Sequence, residues 1–173
     1  MKDFITTYAS YITLVILGLG YFIKRVYDLK TKKIDAKHSL FQQNKISAII
    51  QFFSVYSKVD SMWHSFPIHQ VLDRKFSLDE IDKKLLPLSE LKISILQLTL
   101  YLCKEEINPF ESILTGFQKI NKQVSDMYFD PPVEKNRIAL TNEYHLVKIK
   151  VERENEKLLD LIGNKIRNDF SSK

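Results

Sequence analysis

Between Asn108 and Met127 the chain reads Asn-Pro-Phe-Glu-Ser-Ile-Leu-Thr-Gly-Phe-Gln-Lys-Ile-Asn-Lys-Gln-Val-Ser-Asp-Met. Phe110, Ile113, Leu114, Phe117, Ile120, Val124 and Met127 recur at three- and four-residue spacing, which places one apolar stripe on a helix. Asn108 suits a cap, Pro109 the first helical position and Glu111 the reach back, so the helix is expected to begin there. Asp130-Pro131-Pro132 stops it.

Working outward, a last helix is expected from about Glu134 to Phe170, with Tyr144, Val147, Val151, Leu158, Ile162 and Ile166 as its stripe. Its middle, Lys148 to Lys157, is heavily charged and is expected to project from the body. Upstream, Leu88 to Glu106 is dense in Leu and Ile and reads as a buried helix. Ser77 with Glu80 forms a capping box that opens a short helix ending near Pro87. An aromatic connection, Met62 to His69, precedes it. A helix through Phe41, Ile46, Ile49, Ile50, Phe53 and Tyr56 is expected to start at Ser39, with Gln42 completing its box, and to end before Pro67. Ile34, Ala36, His38 and Leu40 alternate with polar residues, a strand or linker signal. Only four glycines and five prolines interrupt 173 residues. The fold class is all-α.

The N-terminal run Phe4-Ile-Thr-Thr-Tyr-Ala-Ser-Tyr-Ile-Thr-Leu-Val-Ile-Leu-Gly-Leu-Gly-Tyr-Phe-Ile23 holds no charge over 20 residues. As a helix it reaches about 30 Å, the thickness of the hydrocarbon layer. Aromatic rings at Tyr8, Tyr11, Tyr21 and Phe22 lie toward its ends. Tyr21-Phe22-Ile23-Lys24-Arg25 is a poor signal-peptidase site, and only Lys2 precedes the run, so an uncleaved transmembrane anchor is expected. Lys24, Arg25, Lys30, Lys32, Lys33 and Lys37 then form a basic neck opposed by Asp28 and Asp35 alone. The positive-inside rule puts everything after the anchor in the cytoplasm and the short N-terminus outside, so the expected location is the cell inner membrane, single-pass. Three regions follow: residues 1–23, tail and anchor; 24–37, neck; 38–173, a cytoplasmic helical domain.

The neck also explains the net charge of +5. From His38 to Lys173 there are 19 basic and 18 acidic residues, so the excess sits beside the membrane, where it attracts anionic lipid. The overall basicity is therefore no pointer to nucleic acid. Cys103 is the only cysteine, which excludes an intrachain disulfide, and its apolar surroundings suggest a small packed hydrophobe.

Thr6, Ser10, Thr13, Leu17, Gly20 and Lys24 fall at intervals of four, three, four, three and four, so they share one helix face. That face reads as a dry seam between helices, as the wet lining of a pore in a ring of subunits, or as hydroxyls bonded to their own helix's carbonyls. Thr7, Tyr11, Leu14, Gly18 and Tyr21 form a competing stripe. His38, His64, His69 and His145 lack the clustering a zinc site needs. Trp63, His64 and Phe66 read either as a partner-contact surface or as a plug at the end of the core, with Trp63 favouring the plug. Asp79-Glu80 and Glu105-Glu106 read as helix-end acids rather than a catalytic pair. There is no phosphate-binding Gly-rich loop, nucleophile elbow or deaminase pattern, so neither an enzyme nor a cofactor is expected.

One N-out anchor, a basic neck and a compact helical domain together resemble the small membrane effectors of bacterial anti-phage systems, such as the Hailong-type channel effector. The resemblance is one of architecture, without a residue-level motif. It implies a homo-oligomer that opens a membrane pore under control of a nucleotide or oligonucleotide ligand, or of a regulatory protein. The alternative is a passive membrane tether whose helical domain binds a protein partner.

Overall fold

A computed structural model describes residues 2–75, 77–129 and 136–171, with the side chains of residues 2–19, 78, 82 and 169–171 outside the description. Among the described residues the chain is all-helical: α1 (Lys2–His64), α2 (Ile68–Leu72), α3 (Leu78–Leu98), α4 (Lys104–Phe129) and α5 (Arg137–Ser171). It divides into two compact units, Met1–Asn44 and Lys45–Lys173.

In the first unit the backbone is helical without a break. The strand or linker expected from Ile34 to Leu40, and the helix start at Ser39, are corrected. No glycine or proline lies between Lys24 and Phe66, and Ile34 and Leu40 are exposed, with no strand among the described residues to pair against. Among the described residues no helix is long and apolar enough to cross a membrane. The side chains of the run from Phe4 to Leu19, on which the anchor was read, lie outside that description.

The second unit has one core. Phe52, Val59 and Trp63 of α1 meet Val71 of α2, Leu91, Ile95 and Leu98 of α3, the α4 stripe, and Leu140, Tyr144, Val151 and Ile162 of α5. The α4 stripe is placed as the spacing required, with Phe110, Ile113, Phe117, Ile120, Val124 and Met127 buried. Rings tie α1 to α4: Phe52 lies edge-on to Phe110 with centroids 4.7 Å apart, and Tyr56 stands 5.6 Å from Phe117. Gly116 faces Asn155, and Glu106 lies 3.6 Å from Lys165, so α5 runs antiparallel to α4.

Four sequence expectations shift. The Ser77–Glu80 capping box is present with both hydrogen bonds, but α3 passes through Pro87 and ends at Leu98. Proline removes one backbone bond from a helix interior at about 3 kcal/mol. Here the burial of Leu91, Ile95 and Leu98 beyond it holds the helix. The long Leu88–Glu106 helix is therefore two elements joined by a turn at 99–103. Second, α4 begins one turn before Asn108, because the Glu106 carboxylate accepts the Cys103 backbone N–H at 2.9 Å and caps the helix at Lys104. That bond holds the Glu106 carboxyl below the usual range. Pro109 then lies inside α4. Third, the charged middle of α5 does not project: Val151 and Asn155 are buried. Fourth, Cys103 is exposed rather than packed. Residues 130–135, including the Asp130-Pro131-Pro132 stop, lie outside the described residues, and Asn136 caps α5 through its side chain to the Ala139 N–H at 2.9 Å.

Candidate functional site

The densest polar group in the second unit lies where α1, α4 and α5 meet, and Gly116 makes it. A Cβ at that position would stand 3.0 Å from Val151 Cγ1 and 3.1 Å from Asn155 Oδ1, a tight fit that a larger residue could make only if these side chains gave way. Asn155 is 1% exposed and lies beside the Tyr56 hydroxyl. Its amide nitrogen and the Trp63 indole nitrogen are buried without a hydrogen-bond partner among the described residues. Such groups cost on the order of 1–3 kcal/mol each.

Beside this layer, His64 bridges two helices. Its Nδ1 lies 2.9 Å from the Asp60 carbonyl oxygen and 3.5 Å from the Asp60 carboxylate, while Nε2 lies 3.5 Å from Glu152 Oε1. Lys148 Nζ is also 3.5 Å from that Glu152 oxygen. Burial raises the Asp60 carboxyl and Glu152 adds to this, while His64 pulls the other way. His64 thus stands between a carboxylate of α1 and one of α5. The group therefore works as a polar clasp between α1 and α5. Neither the cleft beside Phe110 nor the groove between α1 and α3 is lined by His64, Asp60, Glu152 or Asn155. No cluster of metal-ligating side chains occurs among the described residues.

Tyr144 closes the other side, its hydroxyl donating to the Trp63 carbonyl at 3.3 Å. Burial pushes Tyr144 up to about 12, with Glu152 adding to it, and burial does the same to Tyr56, helped by Asp60, Glu156 and Glu152. A phenol raised in the folded state contributes stability that is complete below its unfolded pKa near 10 and is lost as pH climbs toward 12. For Tyr144, which is 1% exposed, the loss is roughly 2–3 kcal/mol. Urea titrations between pH 9 and 12 are expected to show this alkaline limb. Tyr144→Phe is expected to flatten it while costing about 1 kcal/mol at pH 8. An unchanged limb in that variant would remove Tyr144 as its origin.

Two openings lie elsewhere in the second unit. A cleft of about 70 Å³ has an apolar floor of Ile49, Phe110 and Ile162 and a rim of Lys45, Glu106 and Lys165. It is too small for a nucleotide, since ligand pockets usually run to several hundred Å³. A wide, shallow groove between α1 and α3 is lined by Ser54, Lys58, Glu90 and Ile93.

The residues singled out from sequence are divided between the two units. The side chains of Thr6, Ser10, Thr13 and Leu17 lie outside the described residues. Gly20 is exposed, with open space where a Cβ would sit. Lys24, Arg25, Lys30, Lys32, Lys33 and Lys37 are exposed along the first unit. Trp63 and Phe66 are core residues with ring centroids 5.0 Å apart, so the contact surface proposed for them is corrected, and only His64 of the three is exposed. Asn155, Glu152 and Gly116 escaped the sequence analysis. The one available signal was a lone glycine inside an otherwise regular apolar stripe, which marks a close approach. No protein family, no curated protein and no solved structure matches the chain.

Proposed function

We propose that this chain is a membrane-anchored effector that assembles with copies of itself and breaches the bilayer under control of its helical domain. Phe4–Ile23 would cross the inner membrane with the N-terminus outside, and the neck cations would rest against anionic headgroups on the cytoplasmic side. The observation that carries this reading is the pairing of an uncharged 20-residue run with a six-cation neck directly after it. It gains support from α1, a single helical element that contains the run, the neck and core residues Phe52, Val59 and Trp63. The 70 Å³ cleft is too small for a nucleotide, whereas the open groove between α1 and α3, about 540 Å³, is large enough to offer a nucleotide, oligonucleotide or protein regulator a surface.

Depolarisation of cells producing the chain without its regulator is the direct test. The wild type is expected to depolarise them, and Ser10→Leu with Thr13→Leu to abolish this at equal membrane abundance. A water column needs polar lining, and an apolar constriction dewets. Depolarisation that survives the double substitution would sink the pore. A wild type that never depolarises cells would leave the passive tether as the better account.

A further inference from the structure

The outer face of α3 carries an apolar ridge that the core does not use. Leu91, Ser94, Ile95 and Leu98 face inward, whereas Leu86, Ile93, Leu96 and Leu100 are 59%, 56%, 67% and 71% exposed. Ile50 of α1, 62% exposed, lines the same groove as Ile93 and widens the ridge. Leu86 and Ile93 are seven residues apart and Leu96 lies three beyond Ile93, the spacing with which one helix meets another along a seam, and Leu100 extends the apolar surface from the turn that follows α3.

We propose that this ridge is the surface through which the helical domains of two copies of the chain pack on each other. The inference rests on the reading that copies of this chain assemble. Charge selects the occupant. The ridge is flanked by Glu90, already 3.5 Å from Lys58 of its own chain, and by Lys92, so it lacks the run of cations that lipid headgroups or nucleic acid would require. A second copy laid antiparallel, with the two-fold axis between Ile93 and Leu96, sets Glu90 near Gln97 and Lys92 near Thr99. No like charges meet, and the same heptad spacing is offered from both sides. The five side chains offer on the order of 400 Å² a side, about half the area of a standard interface. That suits a contact which is weak between free chains and is strengthened when anchors hold the copies in one membrane.

The test uses the full chain in detergent, with its mass read by light scattering over a range of concentrations. Ile93→Glu with Leu96→Glu is expected to weaken self-association at least about tenfold while leaving the helical circular dichroism unchanged. Ile138→Glu with Leu146→Glu, exposed apolar positions on α5, is expected to change nothing. A Leu96→Cys chain in a Cys103→Ser background should cross-link to itself through a short bis-maleimide, which reads the same contact without adding charge. An assembled wild type whose mass is untouched by the ridge substitutions, with no cross-link at position 96, would overturn the inference and leave assembly through the anchor standing. A wild type that stays monomeric throughout would overturn both and assign the ridge to a different protein.

Discussion

With lysine at both Leu14 and Ile16, the chain is expected to leave the carbonate-washed membrane fraction in which the wild type is retained. Each lysine at the centre of a spanning helix opposes insertion by about 2.5–3.5 kcal/mol, whereas each Leu, Ile or Val favours it by only a few tenths. Two cations in the middle of a 20-residue run therefore outweigh most of what its apolar residues contribute. Gly20→Leu, near the end of the run, is expected to leave retention unchanged. Immunoblots of washed membranes decide the matter. Wild-type protein released by carbonate, or doubly substituted protein that remains, would remove the anchor and with it the proposed function.

Phe52→Ala is expected to destabilise the helical domain by about 3–5 kcal/mol, a large share of the 5–15 kcal/mol that holds a typical domain together. Phe52 is fully buried, and its ring meets Phe110 at 4.7 Å, Phe53 at 5.6 Å and Tyr56 at 6.3 Å. The α1–α4 contact is built around it. Phe52→Leu should cost less than half as much, because most of the volume remains. Ile50→Ala, two residues away on the exposed side, should stay within about half a kcal/mol in the unassembled chain. Urea-induced unfolding of the three variants tests this packing. A Phe52→Ala loss below about 1 kcal/mol would contradict it.

Periodicity found the helices where one face alone had to be buried. The stripes of α4 and α5 could be counted from residue spacing, and the Ser77–Glu80 box marked the start of α3 two residues from its side-chain partner. Punctuation was less informative. Pro87 and Pro109 read as boundaries and are both interior, because burial of Leu91, Ile95 and Leu98 beyond the first, and of Ile107 and Phe110 around the second, outweighed a single missing backbone bond. The start of α4 was set by Glu106, one of two acids read as solvated.

What the sequence determined by itself was the element type, the buried stripe of α4, the uncharged run and the position of the surplus charge. These depend on the order of residues within a few turns of one helix. The tertiary structure alone decided that Phe66 belongs to the core, that Asn155 is buried against Gly116, that His64 lies against Glu152 and that α3 keeps a second apolar face outside. Each of these depends on which surface of another helix lies opposite. Three- and four-residue spacing identifies a face, and only the neighbour that meets it determines whether that face is core, clasp or contact.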